Sequence, residues 1–384
     1  MGMLFKAVKP RYWWKLLHRW IGLTLGTILI LVAITGTLLT VLRPLDEWIH
    51  ADLFKVMPET GFASRPSGAG TSAIDTDVLE QVRQRLRSEF GSQTSLRLRP
   101  AQQADDSIRA AVHGSWNGVI FYDPHTATEL GRRNDHWTLV NFLFELHSTL
   151  LLGEAGKTIL AIASLAYLLL LISGLVLWWP IRWHHAWSVK LRAGTTRALF
   201  DLHRVGGSLF GILIAISVVS GIYMAWRPLS ATVTALSGAS VMTAPRLSIA
   251  ATIQHATMHP ASLDLQVSNA HTALPAGQVT LVQLPASPNQ PIRVRVKLTD
   301  DPHPIGLSSV WLHPVTAKVL AVQRWDQLDP GIRAFAVMYP LHIGDLGGVL
   351  HTYLVAILGI ALATFGGSGI WLWWRRRVKS KTAS

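Results

Sequence analysis

Four long apolar runs dominate the chain. Ile21–Val41, Thr158–Trp179, Val205–Trp226 and Val349–Trp374 are each 21 to 26 residues long and free of Asp, Glu, Lys and Arg. A helix of about 20 such residues crosses the ~30 Å hydrocarbon core of a bilayer, so four membrane spans are predicted. The runs do not alternate in polarity, and only helices or closed barrels satisfy their backbone in lipid, so these spans are helices. Between them the periodicity changes. A helical pattern over Asp77–Phe90 is followed by β-prone segments at Ser95–Arg99, Ser107–His113 and Gly118–Tyr122, then by the turn Asp123-Pro-His-Thr. Ile292–Leu298 reads as a further strand, and the Gly/Pro/Ser-rich stretch Pro58–Thr71 as a loose connection.

The pattern is written twice. L-H-R-W-I-G-L-T-L-G at 17–26 matches L-H-R-V-G-G-S-L-F-G at 202–211, which sets His18 on His203, and Thr35-Gly36 falls on Ser220-Gly221. His147 falls on His342, Gly153 on Gly348, and S-G-L-V-L-W-W (173–179) on S-G-I-W-L-W-W (368–374). F-Y-D-P-H-T-A-T-E-L (121–130) lines up with W-L-H-P-V-T-A-K-V-L (311–320). The expected fold class is therefore an α-helical membrane protein. Its four transmembrane helices come from an internal duplication, and each half is span, small α+β domain, span. A parallel duplication of this kind implies a pseudo-two-fold axis along the membrane normal.

Charge sets the orientation. The net charge is +13, yet Lys and Arg number 5 in residues 1–19, 4 in 180–198 and 5 in 375–384, with no Asp or Glu in those stretches. The remainder is close to neutral. This positive-inside pattern predicts a multi-pass protein of a bacterial inner membrane with both termini cytoplasmic. The cytoplasmic N-terminus and first span cover 1–44, an outer domain 45–141, and an entry segment with the second span 142–179. A cytoplasmic loop covers 180–198, the third span 199–228 and a second outer domain 229–340. An entry segment with the fourth span covers 341–374, and a cytoplasmic tail 375–384. The first span is followed by no small-residue cleavage site and reads as a retained signal anchor. No basic patch is left outside the membrane ends, which argues against nucleic-acid binding. The absence of cysteine excludes disulfides, iron–sulfur clusters, thiolate ligation and covalent C-x-x-C-H haem attachment.

Taken together, these motifs resemble a known family. The D-P-x-T-x-x-x-L-type hairpins of the outer segments look like PepSY domains, which would be periplasmic. The spans, with L-H-R-x-x-G opening one and L-H-x-x-x-x-x-G before the other, look like the PepSY-associated transmembrane family. Within it, the chain is most similar to the inner-membrane ferric-siderophore reductases of the ferrioxamine type. The resemblance implies two b-type haems. His313-Pro departs from the usual Asp-Pro of the hairpin and is expected to affect only turn chemistry.

Topology sorts the histidines by membrane face. His18 and His203 sit at cytoplasmic ends, whereas His147, His342 and His351 sit at or near outer ends. A rise of 1.5 Å per residue puts His18 ~25–30 Å from the outer end of its own span, so one haem cannot join it to His147. The expected axial pairs are His18 with His203 and His147 with His342, giving two stacked bis-histidine haems. His147 with His351 is the alternative outer pair. For His18 and His203 the competing reading is an interfacial histidine with no ligand. Thr35-Gly36, Ser173-Gly174, Ser220-Gly221 and Ser368-Gly369 lie near the span ends opposite the histidines. Gly36, Gly174, Gly221 and Gly369 leave either the space of a porphyrin plane or room for helices to approach, as Gly22/Gly26 and Gly207/Gly211 also do. Arg19 and Arg204 follow the inner histidines and read as positive-inside anchors or propionate partners. Arg43 and Arg227 run against that rule and are candidate propionate partners. The Trp clusters at 178–179 and 371–374 read first as interfacial belts. His255/His259 is the one further pair with helical ligand spacing, although no third ligand is near in sequence.

The cytoplasmic segments are too short for a flavin or nicotinamide domain, so electrons must come from a quinol or a separate cytoplasmic reductase. The resemblance implies a ferric siderophore as the outer partner. Reduction would release its iron, because hard oxygen donors hold Fe(III) far more tightly than Fe(II). The near-neutral outer charge predicts little electrostatic steering. Two other classes compete: a membrane-anchored PepSY sensor or peptidase-modulating protein with structural histidines, and an alternating-access transporter. No span is broken by charge or proline at mid-membrane, which counts against the transporter.

Overall fold

The computed structural model describes residues 10–56, 75–134, 138–180, 183–247, 260–287 and 289–381. The His255/His259 pair and the 58–71 connection lie outside the described residues. The helices are α1 (Pro10–Leu23), α2 (Leu25–Ile49), α3 (Ala51–Phe54), α4 (Thr76–Phe90), α5 (Leu139–Thr149), α6 (Gly153–Trp178), α7 (Thr195–Ala225), α8 (Arg227–Leu236), α9 (Leu263–Ala273), α10 (Pro330–Ile343) and α11 (Gly348–Lys381). The strands are β1 (Ser95–Arg99), β2 (Ile108–His113), β3 (Asn117–Tyr122), β4 (Glu129–Asn134), β5 (Gln278–Leu284), β6 (Ile292–Lys297), β7 (Ser308–Leu312) and β8 (Val319–Gln323). They divide into two compact units. One holds the residues up to Leu42, Leu143–Pro228 and those from Leu341 onward; the other holds Arg43–Phe142 and Leu229–Pro340.

The first unit is a helical bundle. Leu25–Ile49, Gly153–Trp178, Thr195–Ala225 and Gly348–Val378 are long and apolar enough to cross a bilayer. Small residues bring them together. Gly22 lies against Leu170 of α6, and Tyr167 of α6 donates its hydroxyl to Gly211 O of α7 at 2.9 Å. Gly206 of α7 faces Phe365 of α11, and Gly359 of α11 faces Ala33 and Thr37 of α2. Leu29, Ala163, Tyr167, Ile214 and Leu358 form the shared core. The opposite faces expose Leu31, Ile34, Ile162, Leu165, Leu209, Ile212, Ile357 and Ile360. An apolar exterior this continuous suits lipid rather than water.

Two details differ from the sequence expectation. The first span is irregular at Thr24, the single residue between α1 and α2, whose backbone N and hydroxyl both donate to Trp20 O, at 3.1 and 2.8 Å. His18 sits on α1, which also carries the start of the apolar run. Pro44 does not end the helix, which continues to Ile49. Proline removes one backbone donor but leaves the turns on either side free to form.

The second unit corrects the expectation of two small separate domains. Its strands form one eight-stranded sheet in the order β4-β3-β2-β1-β5-β6-β7-β8. Each run of four strands would expose β1 or β5 as an edge. Those edges pair antiparallel with each other, Leu96 opposite Leu284 and Leu98 opposite Val282, which removes an otherwise sticky edge. Helices α4 and α9 cover one face. Leu79, Val82 and Leu86 of α4 and Leu263 and Ala270 of α9 share a single core with Leu96, Leu98, Val282, Val294 and Val310. Both helices are capped: Asp75 accepts from Asp77 N and Val78 N, and Ser262 from Leu265 N.

The two hairpin tips match in detail. Asp123 Oδ1 accepts from His125 N and Thr126 N at 2.8 and 3.0 Å. In the other hairpin His313 Nδ1 takes that part, accepting from Val315 N and Thr316 N at 3.2 and 3.3 Å. Ala127 and Ala317 both adopt φ 55°. A neutral imidazole with its proton on Nε2 supplies the same acceptor as a carboxylate, so the departure at 313 stays within the turn.

Candidate functional site

In the helical bundle each of four histidines meets the Ser/Thr-Gly pair of a different span. His18 of α1 meets Ser173-Gly174 of α6, and His203 of α7 meets Ser368-Gly369 of α11. His147 of α5 meets Thr35-Gly36 of α2, and His342 of α10 meets Ser220-Gly221 of α7. The last two histidines lie on short helices that precede their spans. Leu150, Leu151 and Gly153 after α5, and Gly344 and Gly348 after α10, all have positive φ. These residues turn the chain sharply between the histidine helix and the span.

Hydrogen bonds engage Nδ1 of every ring. Ser173, Thr35, Ser220 and Ser368 donate their hydroxyl protons to backbone carbonyls three or four residues earlier in the helix, at 2.9 to 3.0 Å. Each hydroxyl oxygen is then an acceptor for the facing histidine. His18 Nδ1 lies 2.9 Å from Ser173 Oγ and His203 Nδ1 3.2 Å from Ser368 Oγ. His147 Nδ1 lies 3.3 Å from Thr35 Oγ1 and His342 Nδ1 3.2 Å from Ser220 Oγ. Three of the rings also donate to a carbonyl: His203 to Phe365 O at 3.0 Å, His147 to Val32 O at 2.9 Å and His342 to Ser217 O at 2.8 Å. The carbonyls place the proton on Nδ1 in His203, His147 and His342, leaving the lone pair on Nε2, and the Ser173 hydroxyl offers His18 the same arrangement. A second partner holding Nδ1–H is the usual support of a metal-bound imidazole.

The rings come in two pairs. The centroids of His18 and His203 are 6.2 Å apart, and those of His147 and His342 are 6.0 Å apart. Two imidazoles bound trans to one metal at about 2.0 Å, each with its centre about 1.1 Å behind the nitrogen, put the centroids about 6.2 Å apart. Both pairs fit that spacing. Along the uninterrupted helix α7, His203 and Gly221 are separated by ~27 Å of rise, so the pairs lie near opposite ends of the bundle. Among the described residues no cluster of three or more His, Asp or Glu is placed to hold a bare ion. A porphyrin supplies four donors itself and needs only a pair from the protein.

The glycines find a third use beside the two weighed above. A Cβ at Gly36 would lie 2.7 Å from His147 Cε1, and one at Gly221 would lie 2.7 Å from His342 Cε1. At Gly174 and Gly369 the corresponding distances to His18 and His203 are 3.3 and 3.4 Å. At Gly36 and Gly221 the imidazole itself thus occupies the space a side chain would need. Helix approach is the role of Gly211, where a Cβ would reach Leu171 at 2.6 Å.

The remaining candidates separate. His351 sits half-buried on the first turn of α11 beside Gly347, and the ring facing His147 belongs to His342. Arg204 is held by the loop before α7, donating to Ala186 O and Ser188 O, both at 2.9 Å, and lies 3.6 Å from Asp201. Arg19 lies over the Trp20 ring at 5.5 Å. Arg43 and Arg227 are both exposed. Trp178 contacts Trp179, Trp183 and Trp187 in a surface cluster, and Arg11 donates to Leu177 O and Trp179 O there. Sequence reasoning passed over Asp201, which is fully buried, pairs with Arg197 at 2.8 Å and accepts from Lys190 N. Its signal was a single carboxylate two residues before His203 in a strongly basic stretch.

The family model of the PepSY-associated TM region matches residues 15–376. No curated protein matches the chain.

Proposed function

The chain belongs to the PepSY-associated transmembrane family, and from that premise we propose that it is a di-haem b-type reductase of the bacterial inner membrane. It passes electrons outward to a periplasmic ferric siderophore and releases Fe(II). The observation that carries this reading is the two close imidazole pairs, with centroids 6.2 and 6.0 Å apart and every Nδ1 already engaged. His18 and His203 would hold one haem, and His147 and His342 the other. A haem held by two of these histidines would supply one-electron chemistry and would suit electron transfer rather than oxygen binding. Ser173, Ser368, Thr35 and Ser220 keep the four rings in the ligating tautomer. Arg43 and Arg227 are the propionate partners in this reading. The matched motifs, the mirrored strand order and the equivalent hairpin tips support an internal duplication. That duplication in turn accounts for histidines that come in two matched sets. Both termini lie in the cytoplasm and the sheet unit in the periplasm, following the basic ends of the spans. The internal loop 180–198 is too short for a nucleotide-binding domain, and in this reading the donor is a quinol or a separate reductase.

The test is anaerobic mixing of the chemically reduced, detergent-purified protein with ferric siderophores in the presence of an Fe(II) trap. Reoxidation of the b-type bands with stoichiometric trapped Fe(II) is expected. A reduced spectrum that persists against hydroxamate, catecholate and carboxylate chelates alike would remove the reductase reading and leave a non-redox role for the sheet unit.

A further inference from the structure

The near-neutral charge of the outer segments conceals a local concentration. Strand alternation puts Leu96 and Leu98 of β1 and Ile292, Val294 and Val296 of β6 into the core, so the residues between them share the sheet's second face. Across that face the register sets Arg97 opposite Gln283, Gln283 opposite Arg293, and Arg293 opposite Trp311. In the adjacent row Arg99 pairs with Arg109, and Leu281 pairs with Arg295, which pairs with Ser309. Neighbouring strands lie about 4.8 Å apart. Five guanidinium side chains therefore crowd the middle of one sheet.

Beside this strip Phe54 packs on Phe121 with centroids 4.9 Å apart, Asp46 forms a two-pronged pair with Arg133 at 2.8 and 3.0 Å, and Leu53 covers Gly131. Within it Thr280 of β5 donates to Ile305 O at 2.6 Å, and Gly306 is pressed against Val296 O of β6.

The carboxylates near them are few: Glu47 lies 3.5 Å from Arg109, and Glu47 and Asp106 both favour the charge on Arg99. Asp301 is buried and already accepts from His303 N, Leu307 N and Ser308 N. Arg293 donates Nε to Ser309 Oγ at 2.9 Å and stacks over Trp311 at 5.0 Å, both uncharged partners. Arg295 Nε is buried with no hydrogen-bond partner. Burial first, and then the neighbouring Arg295, push Arg293 well below the ordinary arginine range. Guanidinium nonetheless stays protonated in proteins, so this is a standing electrostatic cost that an anion would relieve. His303, held down to about 4 by burial and by Arg295 and Lys297, adds no charge at neutral pH.

We propose that this arginine strip binds an anionic, oxygen-rich ferric chelate of the polycarboxylate class. Planar carboxylates match the two-pronged donor geometry of guanidinium, and the clustered positive charge disfavours cationic hydroxamate chelates. The choice of an iron chelate rests on the ferric-siderophore reading above; the anion site rests on the arginines alone.

The test is calorimetric titration of the full-length, detergent-purified protein with gallium(III) citrate, a redox-inert anionic chelate, at low ionic strength. Saturable binding is expected, weakened about tenfold or more by Arg295→Gln and by Arg97→Gln, and largely kept by Arg295→Lys. Arg97 is exposed, so its variant keeps the fold even if the half-buried Arg295 variant does not. Arg85→Gln makes the same charge change at a side chain that instead donates to Ala127 O, and is expected to bind normally. The proposal is overturned if wild-type protein does not bind gallium citrate, or if Arg97→Gln binds as tightly as wild type. Haem content read on the same samples separates the two readings. Arginine-dependent binding by a colourless protein leaves the anion site standing without the reductase. Haem-loaded protein whose affinity ignores the arginines does the reverse.

Discussion

Alanine at Gly36 or Gly221 is expected to remove one haem equivalent, whereas alanine at Gly174 or Gly369 leaves both. The difference is one of clearance. At Gly36 and Gly221 the added methyl would lie 2.7 Å from an imidazole carbon, well inside contact distance, so the ring must move. His147 cannot yield freely, because Nδ1 is held by Val32 O at 2.9 Å and His342 is likewise held by Ser217 O at 2.8 Å. At Gly174 and Gly369 the nearest ring atoms are 3.3 and 3.4 Å away, and a shift of a few tenths of an ångström suffices. Helix propensity works in the opposite direction, since Gly to Ala inside a helix is worth roughly 1 kcal/mol of stabilisation. A variant that folds at least as well as wild type yet loses haem would isolate the steric effect. Quantification of haem per chain in the four alanine variants decides it. Equal losses at all four positions, or none, would show that ring clearance is not what these glycines provide.

The second large effect concerns the choice between His342 and His351. His147→Ala and His342→Ala are each expected to lose the same haem equivalent, and His351→Ala to retain both. His342 faces His147 with centroids 6.0 Å apart, while His351 lies on the next helix, beyond the turn at Gly344 and Gly348. The account fails here if His351→Ala loses one equivalent and His342→Ala does not.

Much of this site was legible in the sequence, for definite reasons. A histidine at a fixed place in a repeated apolar motif is visible as a pattern, and helical rise alone separates His18 from His147. The Ser/Thr-Gly pairs were equally visible, but their purpose was not. Both porphyrin clearance and helix packing predict a small residue, and only the facing ring at 2.7 Å distinguishes a third cause. The carbonyls of Val32, Ser217 and Phe365 left no sequence signal, because any residue type supplies a backbone acceptor. Arg204 read as an anchor or propionate partner, yet the loop carbonyls of Ala186 and Ser188 engage it. In the sheet unit β1, β2, β3 and β6, but not β4, β5, β7 and β8, were readable from the sequence. Their union into one sheet was not, since the β1–β5 pairing joins segments far apart in the chain. The same union gathers Arg97, Arg99, Arg109, Arg293 and Arg295, which is why net charge pointed to weak steering.

The central claim is that two histidine pairs each hold one haem, and the most direct measurement is haem per chain by pyridine haemochromogen in three proteins. Wild type is expected to contain two b-type haems. The double variants His18→Ala/His203→Ala and His147→Ala/His342→Ala are expected to contain one each. A folded wild-type protein without haem, or a double variant that keeps both, would contradict the account.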